Sequence, residues 1–181
     1  MRFQAVFILF FCMVSVVQLY AGDVKQSSGD HNFWLSLGIG KSYFGPTFNT
    51  SISYTFNNSL VTLRYLKADE FRFNVEGHYD EPALKIREVG MLYGMFNLEK
   101  HVRLSLSVGI GYINGVDRGG LLQYHDYKKI QISTIGIPAE LNIQAEFSRN
   151  FGIGFTAFGN FNKQNFFYGG IIKILLGKFS N

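Results

Sequence analysis

The sequence predicts an all-β protein, an eight-stranded antiparallel up-and-down transmembrane β-barrel that follows an N-terminal signal peptide. Three observations support this fold class. Apolar and polar side chains alternate along eight segments of about ten residues, which is the period of a strand and the length that crosses a bilayer. Only 17% of the residues are charged, against about 25% in an average soluble domain. Short turns also alternate with longer polar connections along the chain.

Composition excludes several other classes of protein. The chain has 181 residues, the length of one domain, and its 47% hydrophobic and 17% aromatic content argues against disorder. A single cysteine excludes a disulfide framework and a cysteine-based zinc site. The net charge of +4 is small and not clustered, so we expect no nucleic-acid partner.

The first 21 residues have the pattern of a secretory signal peptide. Arg2 supplies the positive charge, residues 5–17 are almost entirely apolar, and Ala21 offers a small-residue cleavage point. The apolar core of about a dozen residues is too short for a spanning helix of about 20. We therefore predict a signal peptide over residues 1–21, a short lead-in over 22–31 and a barrel domain over 32–181.

Alternation is strongest in residues 101–114. One face carries Val102, Leu104, Leu106, Val108, Ile110 and Tyr112, and the other carries His101, Arg103, Ser105, Ser107, Gly109 and Gly111. Because a strand points successive side chains to opposite faces, this segment has one apolar wall and one small, polar wall. The same pattern predicts strands at 33–40, 48–56, 61–65, 88–95, 135–144, 151–158 and 166–176.

The connections between these strands fall into two groups. One end of the predicted meander has short turns at 57–59, 97–100 and 148–150. The other end has connections at 41–46, 68–85, 115–128 and 162–165, two of them long and polar. Short turns at one end, longer loops at the other and both termini at the short-turn end are typical of an outer-membrane barrel.

The composition of the polar faces indicates whether the apolar walls face lipid or a soluble core. They consist mostly of Gly, Ser, Asn and Thr with about one charge per strand, which suits a narrow barrel interior better than a water-facing surface. Aromatic residues lie near strand ends, as in the girdles at membrane interfaces; they are Phe33, Phe56, Tyr65, Tyr112 and Phe151. A soluble lipid-binding barrel, with its apolar face inward, is the alternative.

Several segments carry a family resemblance: Gly38-Ile39-Gly40, Leu63-Arg64-Tyr65, residues 88–94, residues 136–140 and Gly152-Ile153-Gly154. On these segments the chain resembles the small OmpA/OmpX-type outer-membrane β-barrels, and more specifically the β-barrel domain proteins of Bacteroidetes-like bacteria. The resemblance implies the outer membrane of a Gram-negative bacterium, with outer-membrane lipids and the barrel-insertion machinery as partners. Such barrels often end in an aromatic residue that this machinery reads; here Phe179 lies two residues before the end.

Five charged residues lie on the predicted inward faces: Arg64, Glu88, Arg103, Glu140 and Lys173. Their mixed signs predict a buried salt-bridge network, because an unpaired charge inside a barrel would be costly. We expect Arg103 to pair with Glu140, with Glu88 or with both. An eight-stranded barrel leaves no open lumen, so we expect the network to plug the barrel rather than line a pore.

The long loops carry the candidate interaction residues His78, Asp80, Glu81, His125 and Asp126, which are compatible with binding a divalent cation. A lipid A-modifying enzyme is the alternative function, but it needs a nucleophile beside a base, and neither long loop contains a serine. We expect a non-catalytic structural or surface-interaction protein without a cofactor, whose loops bind an extracellular ligand that the sequence does not identify.

Overall fold

The computed structural model describes residues 31–70, 82–99, 101–123 and 126–179. The predicted signal peptide and all but the last residue of the lead-in lie outside the described residues. No helix in the described part of the chain is long and apolar enough to cross a membrane.

Eight β-strands make up the described chain. They are β1 (Asn32–Ser42), β2 (Gly45–Phe56), β3 (Ser59–Asp69), β4 (Lys85–Glu99), β5 (Val102–Gln123), β6 (Asp126–Ser148), β7 (Phe151–Asn162) and β8 (Phe167–Lys178). Each strand pairs antiparallel with the next, and β8 pairs with β1, so the sheet closes into a barrel. The predicted fold class is confirmed.

The apolar walls face outward. On β5, Val102, Leu104, Val108 and Ile110 are exposed, with Ile110 62% exposed, while Arg103, Ser105 and Ser107 are buried. The other strands repeat this arrangement, so a belt of large apolar side chains surrounds an interior of small and polar ones. A soluble barrel has the opposite arrangement, and the alternative of a soluble lipid-binding barrel is therefore wrong.

Two predicted connections are strand instead of loop. Residues 115–128 belong almost entirely to β5 and β6, which have 22 and 23 residues and form a long hairpin with register shifts near its tip. The length and polar character of this segment predicted a loop, but the alternation of Ile130 and Ile132 with polar residues continues the sheet beyond it. The 41–46 connection is likewise shorter than expected, with only Tyr43 and Phe44 between the paired strands. Gly45 follows with φ +119°, a backbone angle that favours glycine.

The barrel has two ends, which we call the turn end and the loop end. The turn end carries both ends of the described barrel and the short turns after β2, β4 and β6; the loop end carries the other connections. A hydrophobic cluster lies inside each. The cluster at the turn end contains Trp34, Leu60, Leu175 and Phe179, with Phe96 packed against it. The cluster at the loop end contains Phe44, Leu66, Ala68, Ile86, Ile113, Ile132, Phe158, Phe167 and Ile171. Polar side chains occupy the interior between the two clusters.

Candidate functional site in the barrel interior

The middle of the interior contains a buried ionic network centred on Arg64 of β3. The Arg64 guanidinium donates from Nη1 to Glu140 Oε1 of β6 at 2.8 Å and from Nη2 to Glu88 Oε1 of β4. Its carbon Cζ also lies 5.7 Å from the centre of the Phe158 ring. Arg64 is 1% exposed and Glu88 fully buried, so both ion pairs are shielded from water.

Further polar groups contact the carboxylates of Glu140 and Glu88. Lys173 of β8 approaches Glu140 Oε1 with its Nζ at 3.7 Å, and Asn142 Nδ2 donates to Oε2 at 3.5 Å. Asn160 of β7 donates from Nδ2 to Glu88 Oε2 at 2.8 Å. The two carboxylates and the two cations, Arg64 and Lys173, sum to zero formal charge. A neutral, hydrogen-bonded arrangement is the condition under which buried charges are tolerated.

Glycine on the neighbouring strands makes room for this network. Arg64 lies opposite Gly90 in the β3–β4 register, and Gly90 lies opposite Gly111 in the β4–β5 register. A Cβ on Gly90 would lie 3.2 Å from Glu88 Oε1 and 3.4 Å from the Pro138 ring. Because these positions have no side chain, Arg64 and Glu88 can extend over them toward the far wall of the barrel.

Arg103 of β5 lies apart from this network, and the expectation that it pairs with Glu140 or Glu88 is wrong. In the β5–β6 register Arg103 faces Gln144, whereas Glu140 faces Ser107. Four residues of strand, about 13 Å, separate the two positions. The guanidinium is directed to the turn end, where its Nη2 lies 2.8 Å from Glu146 Oε1 without hydrogen-bond alignment.

Three aromatic rings surround the Arg103 guanidinium. Its Cζ lies 4.5 Å from the centre of the Trp34 ring, 5.1 Å from that of Phe96 and 5.9 Å from that of Phe179. Arg103 is fully buried, so these cation–π contacts act in a desolvated site, where they are strongest. Phe179, the terminal aromatic singled out in the sequence, points into the barrel and is 2% exposed.

Sequence reasoning missed Glu146, although a signal for it was present. The alternation of Glu140, Asn142 and Gln144 continues to Glu146, but the predicted strand ended at residue 144. In the structure β6 runs to Ser148, which places Glu146 on the inward face beside Arg103. Asn160 was missed because an asparagine on an inward face has no signature of its own.

The loop end contains a second set of polar contacts. Arg118 of β5 donates from Nη2 to both carboxylate oxygens of Glu70, at 2.6 and 2.7 Å, and from Nε to the Pro82 carbonyl at 3.1 Å. The Asn165 amide, between β7 and β8, donates to the Asp117 carboxylate. These bonds connect β5 to chain segments on both sides of it.

The loop candidates lie at the limits of the described chain or beyond them. His78, Asp80, Glu81 and His125 lie outside the described residues, and for Asp126 only the backbone is described. Among the residues that the structure describes, no group of three or more His, Cys, Asp or Glu side chains could hold a metal ion.

Comparison with known proteins bears on the fold alone. No protein-family model matches the chain, and no curated protein matches it either. Among solved structures, Neisserial surface protein A matches with a TM-score of 0.55 and 13% identity, covering 82% of this chain and 96% of its own. The N-terminal β-barrel domain of Pseudomonas aeruginosa OprF matches with a TM-score of 0.53 and 11% identity, covering 81% of this chain and 96% of its own. Ail, the attachment invasion locus protein of Yersinia pestis, matches with a TM-score of 0.53 and 15% identity, covering 84% and 99%.

These three proteins are small outer-membrane barrels of eight strands. The chain described here has the same fold, a closed antiparallel barrel of eight strands with its apolar face outward. Its fold is therefore that of a small eight-stranded transmembrane β-barrel.

Proposed function

We propose that this protein is an integral outer-membrane barrel with a closed lumen that acts non-catalytically through the part of the chain beyond its loop end. The β5–β6 hairpin extends far beyond the rest of the barrel, and the proposed role at the loop end rests on this extension. Pairing of β6 with β7 begins only at Gly136, and the last β5 residue opposite β4 is Val116.

Placement in the outer membrane has two supports. The exposed apolar belt needs lipid, because large exposed apolar patches are rare on soluble proteins. The predicted signal peptide would deliver the chain to the barrel-insertion machinery, and outer-membrane lipids would then cover the belt. The narrower likeness to β-barrel proteins of Bacteroidetes-like bacteria rests on the sequence motifs and is part of the proposal.

A closed lumen is supported by the way the interior is filled. The two hydrophobic clusters lie at opposite ends, and the Arg64 network crosses the space between them. We propose that Arg64, Glu88, Glu140 and Lys173 plug the middle of the barrel, while Arg103 closes the turn end with its aromatic neighbours. In a planar lipid bilayer the purified protein should then show no steady ion conductance; a stable open channel would contradict this part of the proposal.

The hairpin offers an open sheet edge for a partner. The Ser133 N–H donates to the Gln164 side chain at 3.1 Å, so it points away from β5. Backbone groups two and four residues earlier, at Gln131 and Lys129, point the same way because strand geometry repeats every two residues. In the described chain no strand pairs with them. Such an edge can accept an extended segment of another protein, which supports a surface-interaction role.

Cysteine labelling on intact cells tests the location of the hairpin. The predicted mature chain has no cysteine, so single substitutions at exposed Gly120 in the hairpin and exposed Arg149 at the turn end give specific labels. A membrane-impermeant maleimide should label Gly120→Cys on intact cells and Arg149→Cys only after the outer membrane is opened. The reverse pattern, or fractionation of the protein with soluble proteins, would overturn the placement.

A hairpin-shortened variant tests the interaction role. Residues 117–130 are replaced by an Asn-Gly turn, which leaves the membrane-level strands intact. The barrel should still migrate differently on a gel when unboiled, as folded membrane barrels do, while attachment of cells to other cells or to proteinaceous surfaces should fall. Unchanged attachment would contradict the role, and an altered lipid A mass on deletion of the whole protein would favour the enzymatic alternative.

A further inference from the structure

Charged residues gather on the outer surface at the loop end of β3 and β4. In the β3–β4 register Lys67 lies directly opposite Arg87, and Asp69 lies opposite Lys85. All four side chains are outside the barrel, since their neighbours Ala68, Ile86 and Glu88 are the buried ones. The Lys67 Nζ lies 2.7 Å from Asp69 Oδ2, and both side chains are 41% exposed. We call Lys67, Lys85 and Arg87 the rim cluster.

The rim cluster carries uncompensated positive charge. Like charges directly opposite each other on paired strands are destabilising, and Lys67 and Arg87 are such a pair. Asp69 neutralises one of the three cations. Within residues 31–70, 82–99, 101–123 and 126–179, neither Arg87 nor Lys85 has a carboxylate within salt-bridge distance, so a net charge of +2 is left on two adjacent rows of the sheet.

The rim cluster lies directly beside the apolar belt. The next outward-facing residues toward the membrane centre are Tyr65 on β3 and Val89 on β4, which are opposite each other. Val89 is 52% exposed, and Leu63 and Met91 one row further are as exposed. Two residues of strand span about 7 Å, so the cations lie at the depth where lipid headgroups meet the hydrocarbon layer.

The outer surface of β3 and β4 is uncharged at the turn end. There the outward-facing side chains in the last two paired rows are Ser59, Val61, Tyr93 and Met95, all uncharged. The positive charge on this strand pair is therefore confined to the loop end, which the proposed function places in the outer leaflet.

A groove on the outer surface begins at the rim cluster. It has a volume of about 660 Å³, and its walls include Ile39 of β1, Phe48 of β2 and Ile172 of β8. Lys67 is the member of the rim cluster that borders it, together with Asp69 and Glu70, while Lys85 and Arg87 lie on the neighbouring strand β4. Its apolar walls continue the lipid-facing surface. A groove of this kind can hold an acyl chain while the cations beside it bind the anionic headgroup of the same molecule.

We propose that the rim cluster binds the phosphate group of an outer-leaflet lipid, whose acyl chain lies in the groove formed by β1, β2 and β8. Arg87 and Lys85 would donate to the phosphate oxygens, and the phosphate would relieve the repulsion between Arg87 and Lys67. The site rests on the proposed function, because it requires the loop end to be in a bilayer. A lipid is favoured over a soluble phosphate ester because the cations adjoin the apolar belt and not the tip of the hairpin.

The test compares lipid phosphate with an uncharged lipid in defined bilayers. The full mature chain is folded into phosphatidylcholine vesicles that contain a small share of spin-labelled phosphatidic acid or spin-labelled diacylglycerol with the same acyl chains. Electron paramagnetic resonance then measures the motionally restricted fraction of each lipid. One cation near an anionic surface contributes about 1 kcal/mol, so the wild type should prefer phosphatidic acid at least about fivefold.

Matched triple variants separate the site from general charge. Lys67→Gln/Lys85→Gln/Arg87→Gln should lose the preference, and Lys163→Gln/Lys178→Gln/Arg149→Gln should keep it, since the latter removes two lysines and one arginine at exposed positions elsewhere. Equal losses in both variants would overturn the site, as would the absence of any preference in the folded wild type. Inorganic phosphate at millimolar concentration should not compete; full competition would assign the cluster to a soluble ligand instead of a lipid.

Single substitutions at Arg87 and the insertion of the wild type into vesicles provide two further tests. If the triple variant does not fold, Arg87→Gln alone should reduce the preference and Arg87→Lys should retain most of it, and identical values for the two would count against the site. Failure of the wild type itself to insert into vesicles would overturn the proposed function. Insertion without lipid preference would overturn the phosphate site alone.

Discussion

Arg64 of β3 and Glu140 of β6 meet across the barrel interior, with Nη1 2.8 Å from Oε1, although 76 residues separate them in the sequence. The contact joins strands that are three positions apart around the barrel and share no backbone hydrogen bonds. With Glu88 on the neighbouring strand and Lys173 beside Glu140, it connects β3, β4, β6 and β8 through side chains alone. Closure of this barrel is therefore supported by its interior as well as by its backbone.

Glu140→Gln should destabilise the barrel by about 3–5 kcal/mol, because the substitution leaves Arg64 and Lys173 buried without enough negative charge. Glu99→Gln, at an exposed position on β4, is the control and should change stability by no more than about 0.5 kcal/mol. Urea unfolding of the protein in vesicles measures both. Equal free energies of unfolding for the two variants would contradict a role of the network in stability.

The Arg103–Glu146 pair should show strong coupling in a double-mutant cycle. Glu146→Gln alone leaves the Arg103 guanidinium without its counter-charge, and the free energy of unfolding should fall. Arg103→Met fills the same aromatic surroundings with an apolar side chain, so the double variant should regain most of that loss. Strictly additive effects would show that the two residues do not interact energetically.

Phe179→Ala should weaken the turn end of the barrel. Phe179 is buried against Trp34 and Arg103, and removing a buried phenylalanine side chain costs about 3–5 kcal/mol. Leu176→Ala, which removes a lipid-facing side chain three residues earlier, should cost less because no interior cavity forms. Loss of the unboiled gel shift at a lower temperature in Phe179→Ala than in Leu176→Ala is the expected readout, and the opposite order would contradict the inward packing.

Leu106→Arg should cost about 2–4 kcal/mol, since Leu106 lies on the lipid-facing wall of β5 between the exposed side chains of Leu104 and Val108, and a cation there must leave the hydrocarbon layer. Gln131→Arg, in the exposed part of the hairpin, should be close to neutral. Folding free energies in vesicles of the same lipid provide the comparison. Neutral behaviour of Leu106→Arg would place this residue outside the bilayer core.

The eight strands and the direction of their side chains follow from local sequence. The alternation in residues 101–114 predicts which residues face lipid, and the exposed side chains of Val102, Val108 and Ile110 agree with it. Such a prediction succeeds because the two-residue period is a property of each strand by itself, and because lipid outside and a narrow interior demand opposite side chains.

Strand ends were harder to predict from the sequence. Glycines at 115, 119 and 120 are compatible with a loop or with a sheet, and pairing along the β5–β6 hairpin selects the sheet. Glu146 was missed for the same reason, because it lies two residues beyond the predicted end of its strand.

Local sequence is therefore sufficient to predict the barrel class, the outward apolar belt and the presence of charges of both signs inside. Which of these charges form ion pairs depends on the assembled barrel. Arg64 reaches Glu140 and Arg103 reaches Glu146 because the stagger between strands sets the height of each residue along the barrel axis. The closed register of all eight strands fixes that height, and no single strand contains this information.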